Sequence, residues 1–137
     1  MAAPSKGGRT LEQVRDAIDH LDLDEIEAKA MEVYRWRRPR ARRADLWYRN
    51  FLWLCYKHGS PLAAIGKDAD DLWHVHILDT RKYAADCRKI FGRLLNHTPL
   101  YGPPSAPQRA VFNRSKQLYK EEFGKLPPSP SEVSFWN

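Results

Sequence analysis

Nowhere in the 137 residues does an apolar run approach the roughly 18 residues that cross a bilayer, so no membrane span is expected. The opening stretch, residues 1–8, lacks the apolar core of a secretory signal. Cysteine is scarce. Cys55 and Cys87 have no CxxC spacing and read as reduced thiols, which points to a cytoplasmic protein. The seven glycines do not gather into a phosphate-cradling loop, and HExxH, a nucleophile elbow and a cysteine-rich zinc pattern are all missing. No segment alternates apolar and polar residues with period two, so little or no sheet is expected, and no internal repeat is visible.

What remains is a chain of one-domain length with 42% apolar residues, including 5 Trp, 6 Tyr and 5 Phe. A chain of this size buries roughly two-thirds of its unfolded surface and needs neither disulfide nor metal merely to fold. The expected organisation is a flexible tail over 1–9, a single helical domain over 10–128 and a C-terminal tail over 129–137.

The formal charge of +6 is unevenly placed. Arg35, Arg37, Arg38, Arg40, Arg42, Arg43 and Arg49 follow an acidic stretch that includes Asp16, Asp19, Asp22, Asp24, Glu25 and Glu27. One reading has the two stretches solvating helix ends and pairing with each other. The other makes Arg37, Arg38, Arg42 and Arg43 an anion-binding patch for RNA or a protein partner, with Tyr34, Trp36, Trp47 and Tyr48 interleaved as stacking surfaces.

Helical periodicity organises the rest into about five helices, an irregular all-α bundle. Thr10-Leu-Glu-Gln13 has the form of a capping box, followed by an apolar stripe of Leu11, Val14, Ile18 and Leu21. Asp22 or Asp24 caps a second helix that Pro39 ends. A third runs from about Arg42 to His58, apolar on much of its circumference, and Gly59 closes it. Asp68 caps a long central helix over about 69–91, which Gly92 stops or interrupts. After an irregular stretch over 96–104, Ser105-Ala-Pro-Gln108 starts the last helix and Gly124 closes it.

The long central helix carries the chemistry. On a 100° wheel, His76, Asp79, Thr80, Tyr83, Asp86 and Cys87 share one face with Leu72, Trp73, Ile90 and Phe91, while Arg81, Lys82, Arg88 and Lys89 lie opposite. Basic residues prefer water, so the His76 face is expected inward. Buried polar groups need partners, and a polar cluster where leucines would stabilise better calls for a reason. One reason is a metal site with His74, His76, His97 and Asp86 as ligands, Asp79 and Tyr83 in catalytic roles, and iron, zinc or copper as the ion. Helix geometry resists part of this set. Residues two apart point about 200° from each other, so His74 and His76 share an ion only if the helix distorts. An Asp71–His74 pair would otherwise orient His74. The competing reading is an internal hydrogen-bond network of His76, Asp79 and Tyr83 that fixes helix packing. Cys87 reads as a small buried apolar residue.

The segment Asp70–Gly92 resembles the signature of the glycine-rich domain-containing protein-like family, D-x-x-W-H-x-H-x6-Y-x-x-D-C-x4-G. The matching positions are Asp70, Trp73, His74, His76, Tyr83, Asp86, Cys87 and Gly92. The similarity extends upstream through Tyr48–Leu52 and downstream through His97-x-Pro99, Gly102 and Leu118–Gly124. Many bacterial relatives carry paired histidines before the proline, where this chain has Asn96-His97. The resemblance implies a helical domain with the Trp-His-x-His helix at its centre and brings no reaction with it. Two functions follow from the residues. One is a small metalloprotein, or metal-dependent enzyme, acting on a small molecule or peptide. The other is a non-catalytic protein- or RNA-interaction module built on the arginine-rich segment 35–49.

Overall fold

A computed structural model of the protein describes residues 8–98 and 100–128. The C-terminal tail expected over 129–137, and residues 1–7 of the N-terminal tail, lie outside them. Among the described residues there are six helices and no strand: α1 (Leu11–Asp19), α2 (Asp24–Tyr34), α3 (Arg38–His58), α4 (Lys67–Leu78), α5 (Thr80–Phe91) and α6 (Ala106–Phe123). No helix among them is long and apolar enough to cross a membrane.

Local capping chemistry sets most boundaries. The Thr10–Gln13 and Ser105–Gln108 capping boxes open α1 and α6. Gly92 and Gly124, at φ 72° and 81°, close α5 and α6 in the left-handed region that glycine enters freely. Pro39 does not end α2. That helix stops at Tyr34, with Arg35 left-handed at φ 57°, and Pro39 sits in the first turn of α3. A proline's missing N–H has no intrahelical partner to lose there. α3 therefore starts at Arg38, four residues earlier than its apolar pattern suggests. It is the central helix, burying Tyr48, Phe51, Leu52, Leu54 and Cys55, and α1, α2, α4 and α6 pack around it.

Two expectations about the middle of the chain are overturned. Asp68 is not a cap. It is 1% exposed and accepts two hydrogen bonds from Arg40, at 2.8 and 3.1 Å, which ties α4 to α3. The long helix over 69–91 is two helices. Asp79 leaves helical geometry at φ −85°, ψ 79°, and its carboxylate accepts from the Lys82 N–H at 3.3 Å, capping α5. Asp79 and Thr80, expected inward, are consequently exposed at the junction.

The break positions everything that follows. In a straight helix, residues ten apart are separated by about 15 Å along the axis. Yet the Trp73 indole N–H donates to the Tyr83 hydroxyl at 2.9 Å, and His76 Nε2 meets Asp86 at 2.8 Å, each pair ten residues apart. Both contacts require α5 to fold back on α4 at Asp79.

Candidate metal centre

The residues expected to form one site divide between two places on opposite sides of α4. The first is buried. His76 is 1% exposed, with Nδ1 2.6 Å from the Tyr48 hydroxyl and Nε2 2.8 Å from Asp86. A carboxylate can only accept, so Nε2 carries the proton and Nδ1 accepts from Tyr48. Burial pushes the His76 pKa down, against the opposing influence of Asp86, and burial pushes the Tyr48 pKa well up. The neutral forms are the stable ones, and both imidazole nitrogens are committed. Asp86 also pairs with Lys82 at 3.1 Å. The adjoining cavity, lined by Tyr48, Tyr83, Cys87 and neighbouring apolar side chains, measures about 10 Å³, room for no more than one water. His76 and Asp86 thus form a closed packing network rather than two arms of an open site.

Tyr83 belongs to the same interior. Its hydroxyl accepts from Trp73 and donates to the Leu95 carbonyl, and its ring meets His76 edge-on at 5.0 Å. Burial raises its pKa. Burial also raises the pKa of Cys55 and Cys87, both free thiols, which keeps them protonated and apolar in character.

The second place is half-exposed. His74 lies one turn beyond Asp70 on α4, and His97 returns from the irregular segment after α5. His97 Nε2 is 3.1 Å from Asp70 Oδ1, and His74 Nδ1 is 3.5 Å from Asp70 Oδ2. One ligating atom from each of Asp70, His74 and His97 can be chosen so that all lie within 4.8 Å of one another. The imidazoles are 4.5 Å apart between centroids, and the Trp73 ring lies 4.3 Å from His97. Two imidazoles and a carboxylate are a donor set suited to zinc or iron.

The sequence pairs His74 with Asp71 by spacing and offers Asp70 only as a position of the family signature, not as a ligand. The structure pairs Asp71 with Lys67 at 2.7 Å and gives His74 to Asp70. The signal was available, since D-x-x-x-H stacks both side chains on one helical face. His97 could not be placed by any period.

The arginine-rich stretch is also divided. Arg40 holds Asp68, and Arg49 binds Asp45 and donates to the Ile18, Asp19 and Leu21 carbonyls at the end of α1. Arg38 and Arg42 lie 3.0 and 3.7 Å from the buried Glu27. Arg37 is exposed at the start of α3, and Arg43 is half-buried.

No curated protein and no solved structure matches the chain. The pattern of one family, described as UCP032817-like, does match, over residues 15–110. That span covers more than half of the chain and contains both histidine clusters, so the protein belongs to the UCP032817-like family.

Proposed function

We propose that the protein is a metal-binding domain in which Asp70, His74 and His97 hold one transition-metal ion on the outer side of α4. The observation that carries this reading is the approach of three donor atoms, two from one helical turn and one from a segment 27 residues from Asp70 in the chain. Donors around one zinc ion, at about 2.0–2.2 Å from it, stand roughly 3–3.5 Å apart. The two Asp70 oxygens lie 3.1 Å from His97 and 3.5 Å from His74, and one donor atom from each residue stands within 4.8 Å of the others, so small side-chain rotations would close the set around an ion.

Three protein ligands leave coordination positions for water or an external ligand, the pattern of reactive rather than purely structural sites. The ion would supply Lewis acidity toward a small molecule or peptide. Imidazole and carboxylate donors suit iron, zinc or copper, and the donor types do not choose among them. Partial exposure of Asp70 and His74, at 37% and 45% of their side chains, leaves the site reachable from solvent. The resemblance to the glycine-rich domain-containing protein-like family supports the same residues, since Asp70, His74 and His97 are all among the shared positions. Reduced, buried Cys55 and Cys87 suit a cytoplasmic setting.

The test is metal analysis of protein expressed without a histidine tag, followed by zinc and iron(II) titration calorimetry. About one equivalent per chain is expected, lost in His97→Ala and Asp70→Ala. Stoichiometry that is unchanged in both variants, or no binding by the unaltered protein, would overturn the reading.

A further inference from the structure

His97 is the ligand with the least local support. It stands between Gly92 at the end of α5 and Ser105 at the start of α6, where the described residues have no regular structure. A loop residue must lose conformational freedom to serve as a ligand, and affinity rises when that ordering is already in place. Two contacts supply it. The Trp73 ring packs against the His97 imidazole at 4.3 Å between centroids. The Leu95 carbonyl, two residues before His97, accepts a hydrogen bond from the Tyr83 hydroxyl. The same Tyr83 oxygen accepts the Trp73 indole N–H at 2.9 Å.

Trp73, Tyr83 and Leu95 are each under 5% exposed, so water does not replace these bonds. Trp73 also sits between Asp70 and His74 on α4, in the helix that presents the other two ligands. The chain from Trp73 through Tyr83 to the Leu95 backbone therefore links the ligand-bearing helix to the ligand-bearing loop across the fold at Asp79. Phe51 supports Trp73 from α3 at 4.5 Å, and His76 supports the Tyr83 ring.

We infer that Tyr83 is a positioning residue for the metal centre: it fixes His97 through the Leu95 carbonyl and sets metal affinity without touching the ion. The inference rests on the metal-binding reading above. It gives the Trp73–Tyr83 bond a purpose beyond packing, namely holding a loop ligand at a fixed distance from two helical ones.

Zinc affinity measured by competition with a chromophoric chelator, well below the melting temperature, tests it. Tyr83→Phe keeps the ring and removes both hydrogen bonds, and its affinity should fall about 10- to 100-fold, the range seen when groups that orient metal ligands are removed. Trp73→Phe keeps an aromatic ring near His97 and the Tyr83–Leu95 bond, and loses the N–H with part of the indole volume, so its affinity should lie between those of Tyr83→Phe and the unaltered protein. Tyr119→Phe is the control. It removes a buried tyrosine hydroxyl that accepts from Asn50 at 3.1 Å, between α6 and α3, and should leave affinity unchanged. Circular dichroism verifies that each variant is folded, and Trp73→Phe carries the comparison if Tyr83→Phe is not. If the unaltered protein fails to bind zinc, the metal reading falls and the positioning role falls with it. If it binds and the Tyr83 and Trp73 variants bind equally well, or Tyr119→Phe weakens binding as much as they do, only the positioning role is overturned.

Discussion

His74 and His76 are two residues apart on one helix and have opposite surroundings. His76 faces the core, where Tyr48 and Asp86 occupy both ring nitrogens. His74 faces outward, sharing the half-exposed Asp70 with His97. The residue types in the two clusters are nearly the same: imidazole, carboxylate and a neighbouring aromatic. Accessibility separates them. A buried imidazole with both nitrogens hydrogen-bonded adds specificity to packing, whereas an accessible one can offer a ring-nitrogen lone pair to a metal. A histidine-rich motif is therefore not one site, and a helix of 3.6 residues per turn necessarily divides the two members of an H-x-H pair between faces.

The largest effect expected from breaking this contrast is on stability. His76→Ala leaves the Asp86 carboxylate and the Tyr48 hydroxyl without their partner in the core. Asp86 keeps Lys82, so the cost comes from the unpaired Tyr48 hydroxyl and the cavity left by the imidazole, together about 3–5 kcal/mol in urea unfolding. The folded fraction should still bind metal at Asp70, His74 and His97. If His76→Ala abolished metal binding while remaining folded, the separation of the two clusters would be wrong.

The complementary variant is His97→Ala. Metal affinity should drop by at least about 100-fold, equivalent to about 2.7 kcal/mol. Stability of the metal-free protein should change by about 1 kcal/mol or less, because His97 lies outside the main core. Parallel calorimetry and thermal melts check both halves of the statement.

Acid should distinguish the clusters further. Burial lowers the His76 pKa in the fold, so the unfolded chain, with an ordinary imidazole near 6.5, takes up a proton first as pH falls. The His76 contribution is therefore fully present above about pH 6.5 and declines as pH falls toward the depressed folded value. The cost is on the order of 1.4 kcal/mol for each unit of depression. Between pH 7 and 5, the melting temperature of the metal-free protein should fall more steeply than that of His76→Gln. Equal slopes would mean that His76 does not carry the dependence.

The smallest effect is expected at the junction. Asp79→Ala removes the cap on α5 and should cost about 0.5–1 kcal/mol in thermal unfolding. Since the break brings Trp73 to Tyr83 and His76 to Asp86, hydrogen exchange at the start of α5 should quicken in this variant. An unchanged exchange pattern would place the control of the break in core packing instead of the cap.

Much of the fold was legible because it follows from local chemistry. The capping boxes at Thr10 and Ser105 and the helix-closing Gly92 and Gly124 act over one turn, and all four stand where the sequence places them. Pro39 was ambiguous because proline both ends helices and begins them, and only the left-handed Arg35 separates the two outcomes. The Asp79 break is not legible as a break, because the helical periodicity runs on through it and puts Asp79 on the inward face. Asp68 carried a misleading cap signal. Its partner, Arg40, is 28 residues away, and no local rule pairs them.

The sequence by itself determined that this protein is helical, where most of its helices start and stop, and that His74 and His76 face different sides. Backbone hydrogen bonding and side-chain periodicity act between residues three or four apart, so they can be read along the chain. Tertiary structure decided which groups meet. The bend at Asp79 gave His76 to Asp86, and the return of the loop after α5 brought His97 to Asp70. Contacts across 10 and 27 residues depend on how whole helices pack, and no repeat in the sequence encodes them. The Trp-His-x-His segment is therefore two devices on one helix: a closed network inside, and an open Asp-His-His cluster whose third member arrives through the fold.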